Sequence, residues 1–181
     1  AINIKPSEKI LESEKGPLSY SIWPTQSKNK NLLIFIHGTG AHKKWWYPIA
    51  PQFINYSNVI AIDLPGMGDS GFRQKYSIKD FGQCVISIIE KEQSNLDIDN
   101  IFIVGHSLGG QVAGYVASEE KELVSNLIMI DTFIRPPDWD PSQNEGGPLR
   151  MIKYYSDKTT ILKRFRLLPQ QECENEWFVR Y

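Results

Sequence analysis

At 181 residues, 41% hydrophobic and 12% aromatic, the chain has the length of one domain and enough apolar side chain to bury a core, which excludes disorder as its ground state. Twenty Lys and Arg stand against 21 Asp and Glu for a formal net charge of −1, so no basic field exists to draw nucleic acid or an anionic membrane. The longest strongly apolar run, Leu32 to Ile36, is far shorter than the ~20 residues a bilayer span needs. Cys84 and Cys173 stand far apart with no His or Cys at metal-ligand spacing. Two thiols in a reducing compartment are expected, not a disulfide or a zinc site. The first residues show no apolar stretch with a small-residue cleavage site, so a cytoplasmic location is the expectation.

In chain order, Leu18 to Trp23 reads as a short edge strand. Asn31 to His37 and Asn58 to Asp63 are continuous apolar runs of the kind buried on both faces of a sheet, and each ends in a glycine-rich turn. From Ser77 to Gln93, the positions of Ile78, Phe81, Val85, Ile88 and Ile89 predict an amphipathic helix, opened by Ser77 with Asp80 three residues on. Ile101 to Val104 is a third buried strand, Gln111 to Glu119 a second helix and Leu127 to Asp131 a fourth strand. Strands alternating with helices predict an α/β fold with a mostly parallel sheet. Beyond Thr132, prolines 136, 137, 141 and 148 with glycines 146 and 147 break regular structure. Helices are expected over 156–165, stopped before Pro169, and over 176–181, where no C-terminal signal follows. The expected organisation is a core over 1–131 and a second segment over 132–181.

Chemistry concentrates at Gly105-His106-Ser107-Leu108-Gly109, between a buried strand and a helix. A sharp strand-to-helix turn strains the central serine so that its Oγ is exposed at the sheet edge, and small residues two before and two after let the chain pass. The helix opening at Leu108 also turns backbone N–H groups and its positive dipole end toward developing negative charge. The spacing alone arises by chance in roughly one chain of this length in twenty. The flanking strand and helix make chance a poor account. His37-Gly38-Thr39-Gly40, after the first buried strand, is where such an elbow needs a loop whose N–H completes an oxyanion hole. Thr39 and Leu108 are the natural donors. Asp63-Leu-Pro-Gly-Met-Gly-Asp-Ser70 reads as a tight chain reversal that serves as scaffold. Trp45, Trp46 and Tyr47 read as packing or as the wall of an acyl pocket; the same holds for Trp139, Tyr154 and Tyr155.

These three motifs, in this order, resemble the α/β-hydrolase superfamily over about residues 10 to 135. The resemblance implies the α/β-hydrolase fold with its final strands missing from this chain, and makes 132–181 a linker and the start of a helical cap; Arg164 to Pro169 is similar to cap segments of esterase-like members. It implies hydrolysis of an ester, thioester, lactone or amide-type acyl bond in a small-molecule substrate, with Ser107 as nucleophile, Thr39 and Leu108 as oxyanion donors, and no cofactor or metal. Relatives that open epoxides or dehalogenate through an aspartyl ester carry Asp where this chain has Ser107.

The family's order is serine, acid, histidine, yet no histidine follows Ser107. His106 should leave the elbow in another direction, His37 reads as a hydrogen-bonding partner of the oxyanion loop, and His42 is the one upstream histidine placed to lean toward the site. Asp131, ending the last strand, is the candidate acid. The expectation is that the enzyme continues beyond Tyr181 and supplies its histidine there, leaving residues 1–181 inactive. The alternative is a non-catalytic ligand-binding scaffold or receptor on the same fold.

Overall fold

Apolar residues without a polar break need protein on both sides, and the runs at 31–37 and 58–63 find it in the middle of a sheet. The computed structural model describes residues 4–25, 27–134, 157, 159 and 160. The chain divides into two units, Ala1–Ile134 and Arg135–Tyr181, and the sheet belongs to the first. Its strands are β1 (Ser7–Leu11), β2 (Leu18–Trp23), β3 (Asn31–Ile36), β4 (Asn58–Ile62), β5 (Asn100–His106) and β6 (Val124–Ile130). They lie in the order β1-β2-β4-β3-β5-β6. β1, β2 and β4 pair antiparallel in turn, whereas β4, β3, β5 and β6 are parallel. This is an α/β-hydrolase fold with a mostly parallel sheet.

From β3 the chain passes to β4 on one side and then crosses back to β5 on the other. Such a reversal opens a crevice at the carboxyl ends of the strands. The loops after β3, β4, β5 and β6 all leave the sheet at that edge, which brings His37, Asp63, Ser107 and Asp131 to one end of it.

Alternation along the strands divides the core in two. Leu32, Ile34, Ile36, Ile60 and Ile62 face the helices α1 (Ile78–Gln93) and α2 (Leu108–Glu119). Leu33, Phe35, Val59, Ala61 and Val104 face Trp46, Ala50 and Ile54, carried by and just after two 3-10 turns, Lys43–Trp46 and Ala50–Phe53. Each large apolar side chain buried in this way contributes about 1.5–3 kcal/mol. In α1, Phe81, Val85, Ile88 and Ile89 are all buried, as their spacing requires. Gly82 lets α1 close on α2, since a Cβ there would lie 2.2 Å from Cδ1 of Tyr115.

Expectations about three elements are corrected, and one strand is added. Leu18–Trp23 is not an edge strand: β1 covers it, and all six of its residues are buried. β1 itself escapes the sequence because Ser7, Glu8 and Lys9 leave only Ile10 and Leu11 apolar, and Ile10 faces solvent at 64% exposure. α2 begins at Leu108, as the elbow requires, and not at Gln111, where the apolar pattern alone places its start. The strand expected at 127–131 spans Val124–Ile130 and is the edge of the sheet among the described residues, with Ile128 53% exposed. The helices expected over 156–165 and 176–181 lie outside the described residues except at 157, 159 and 160. Cys173, Trp139, Tyr154, Tyr155 and the 164–169 segment lie outside them too.

Candidate active site

Ser107 is held at φ 51° and ψ −116°, a backbone region that costs a side-chain-bearing residue about 1–3 kcal/mol. Neighbours impose it. The Ser107 N–H donates to Ile130 O at 2.9 Å, and Ser107 O accepts from Gly110 N–H at 3.0 Å as α2 begins. Both flanking glycines answer a close approach: a Cβ on Gly105 would stand 2.3 Å from Gly109 O, and one on Gly109 would stand 2.4 Å from Ile36 O. Ser107 occupies the N-cap position of α2, yet its side chain caps nothing. Among the described residues no group hydrogen-bonds the hydroxyl of this half-buried residue.

Register brings the second motif beside it. Ile36 pairs with Gly105 across β3 and β5, so the chain leaving β3 runs past the elbow. A Cβ on Gly38 would lie 3.2 Å from Cβ of Ser107 and 2.8 Å from Nδ1 of His106, so only glycine fits there. His37 is fully buried at the start of this loop. Its Nε2 accepts from Leu64 N–H at 3.1 Å, which leaves the proton on Nδ1 to donate to Gly38 O at 2.8 Å. Burial holds its pKa below the ordinary imidazole value, so the ring is a neutral brace. The backbone N–H groups of Thr39 and Leu108 donate to nothing among the described residues, the first as part of an exposed loop tip and the second as the opening amide of α2.

The other candidates separate. Asp131, also at positive φ (46°), projects a 90% exposed side chain whose Oδ2 lies 3.9 Å from Nε2 of His106. The His106 ring packs beside Gly38 and lies 5.9 Å from the half-exposed Trp45 ring; its Nδ1 is buried without a partner among the described residues. His42 makes no hydrogen bond through its side chain among the described residues and precedes the 3-10 turn without capping it. The aromatic trio divides as well. Trp46 stacks on Phe35 at 4.7 Å and Tyr47 meets Trp23 edge-on at 5.1 Å, while Trp45 alone stands beside the elbow.

Sequence reasoning missed a buried charge cluster at the far end of the same loop. Lys43 and Asp63 are each 1% exposed, and Lys43 Nζ donates to Asp63 Oδ2 at 2.8 Å, Asp69 Oδ2 at 2.7 Å and Ser19 Oγ at 2.8 Å. Burial works against the ammonium, but these two carboxylates hold its pKa above the ordinary lysine value. In return the Lys43 hydrogen bond holds Asp69 below the usual carboxylate range. Asp63 also accepts the Asp69 N–H at 2.9 Å, while Gly66 and Gly68 turn the chain at φ 78° and 56°. The aspartate was legible in its motif. Nothing local marked Lys43 as its partner.

No helix among the described residues is long and apolar enough to cross a membrane, and no group of three or more His, Cys, Asp or Glu among them is arranged to hold a metal ion. The family model described as alpha/beta hydrolase fold matches residues 31–165. The chain is 31% identical over 131 residues to a pimeloyl-[acyl-carrier protein] methyl ester esterase of Pseudoalteromonas atlantica, covering 68% of this chain and 48% of that protein. It is 32% identical over 104 residues to a soluble epoxide hydrolase of Corynebacterium sp., covering 55% of this chain and 34% of that one. Among solved structures, the thioesterase domain from a curacin biosynthetic pathway superposes with a TM-score of 0.61 at 25% identity, over 74% of this chain and 48% of that chain. The match thus spans less than half the length of each of these relatives. With this fold, this order of loops and these relatives, the chain belongs to the α/β-hydrolase family.

Proposed function

We propose that this chain carries the nucleophile and oxyanion hole of a serine hydrolase that cleaves an ester, thioester, lactone or related acyl bond. The observation that carries the reading is the strained Ser107, whose hydroxyl is kept out of every hydrogen bond among the described residues while Gly38 closes on its Cβ. Ser107 Oγ attacks the acyl carbon, the carbonyl oxygen takes up negative charge, and the Thr39 and Leu108 amides receive it. Collapse expels the alcohol or thiol, and water then releases the acid from the acyl-enzyme. In this reading 132–181 is a linker and the start of a cap segment, Trp45 contributes to the acyl wall, and Asp131 is the candidate acid. The esterase and thioesterase relatives agree with this chemistry. Epoxide opening through an aspartyl ester needs a carboxylate nucleophile, and a hydroxyl stands at position 107.

A hydroxyl also needs a base to take its proton. His37 has both ring nitrogens engaged, and His106 lies against Gly38 and Asp131. We propose a histidine outside residues 1–181 as the base, with His42, whose side chain makes no hydrogen bond among the described residues, as the alternative within them. A short-chain p-nitrophenyl ester tests this. The full-length protein turns it over, whereas residues 1–181 alone show only background hydrolysis. Robust turnover by residues 1–181 that disappears in His42→Ala would overturn the assignment of the base. A full-length protein with an unreactive Ser107 would instead favour a ligand-binding scaffold that uses the same pocket.

A further inference from the structure

Loop 37–43 touches the elbow at Gly38, but its tip has little support. Thr39 and Gly40 are exposed, and a Cβ on Gly40 would meet nothing within 4 Å. One backbone bond, from Ala41 N–H to Gly38 O at 3.2 Å, closes a turn within it. The tip is therefore placed by its ends, and both ends are tied to the chain just after β4. Leu64 N–H meets His37 Nε2 at the near end, and Lys43 N–H donates to Asp63 Oδ1 at 2.6 Å at the far end. The Lys43 ammonium then doubles the far tie through Asp63, Asp69 and Ser19, with Glu8 Oε2 of β1 at 3.6 Å. Burying an ion pair gives little net stability against apolar residues of the same size. What this pair does supply is a single allowed position for the end of the loop, because neither partner keeps its hydrogen bonds if the loop shifts.

We propose that Lys43 is a positioning residue for the oxyanion hole, clamping the far end of loop 37–43 to the Asp63–Asp69 turn and so holding the Thr39 amide in register with Ser107. This rests on the reading of Thr39 as an oxyanion donor. Misplacing a catalytic group by about 1 Å costs on the order of 100-fold, whereas ground-state binding of the substrate's acyl chain does not depend on that amide.

The test uses the full-length protein, a short-chain p-nitrophenyl ester, and active-site concentrations fixed by fluorophosphonate titration. Lys43→Met should lower kcat per active site about 10- to 100-fold with KM changed by less than about 3-fold. Affinity for a trifluoromethyl ketone, which forms the oxyanion, should fall in parallel, and Lys43→Arg should restore most of both. In a Thr39→Pro background, itself about 10²- to 10³-fold slower, Lys43→Met should cost nothing more. A merely structural lysine would give losses that multiply. Unchanged kcat per titrated site in Lys43→Met, or multiplying losses, overturns the proposal and leaves the oxyanion reading standing. An unchanged kcat in folded Thr39→Pro defeats both. Should Lys43→Met fail to fold, Asp69→Asn takes its place, since that carboxylate is 66% exposed. A loss of about 3-fold that vanishes in the Thr39→Pro background supports the clamp; no loss overturns it.

Discussion

Two serines open the two long helices among the described residues, and they do opposite things. Ser77, at φ −144°, accepts the Asp80 N–H at 3.0 Å and donates its own hydroxyl to the Asp80 carboxylate at 2.6 Å. Ser107, at φ 51°, caps nothing, and its hydroxyl stays free of hydrogen bonds among the described residues. The first serine stabilises its helix by the usual ~1 kcal/mol of an N-cap. The second gives up that bond and accepts backbone strain as well. A helix N-terminus that leaves its nearest hydroxyl and amides unsatisfied can offer them to something that is not part of the fold, and this difference supports the proposal that α2, not α1, carries the reactive end.

The contrast is sharpest in activity. Ser107→Ala should lower kcat of the full-length protein on an ester by on the order of 10⁶, while Ser77→Ala leaves kcat unchanged once the folded fraction is accounted for. Stability should reverse the order. Ser107→Gly relieves the positive φ and should raise unfolding free energy by about 1 kcal/mol after the entropy cost of glycine, whereas Ser77→Ala should lower it by about the same amount. Urea titrations of the two variants side by side measure both signs. A Ser107→Gly variant less stable than the parent would show that the elbow is not strained. The smallest effect concerns the brace beneath the loop. Because His37 is held below the ordinary imidazole value of 6.5, the unfolded chain binds a proton that the folded chain refuses. Stability should therefore fall as pH drops below about 6.5, by at most about 1.4 kcal/mol per pH unit, and level off below the folded pKa. In His37→Asn that dependence should flatten below about pH 6.5.

What the sequence made legible follows from the range of the forces involved. Ser77 and the spacing of Phe81, Val85 and Ile88 are local signals, and α1 forms from Ile78 to Gln93 as they require. The apolar runs in β3 and β4 are equally local, and so is the Gly-x-Ser-x-Gly spacing, whose glycines now have named neighbours in Gly109 and Ile36. Long-range pairing was not legible. Nothing in Ser7 to Leu11 announces a strand until Leu18 to Trp23 lies beside it, so β1 was missed and β2 was placed at the edge. Lys43 reads as one of two adjacent lysines in a turn until Asp63, Asp69 and Ser19 arrive from two other segments of the chain. Buried charge is invisible to hydropathy because the pattern records what a residue is, not what it meets.

If Ser107 is an activated nucleophile beside a formed oxyanion hole, covalent capture tests it most directly. The full-length protein, treated with a fluorophosphonate and digested for peptide mass spectrometry, should carry one phosphonyl group on Ser107. The label should disappear in Ser107→Ala. A folded full-length protein that takes no label, or takes it on another residue, would contradict the account.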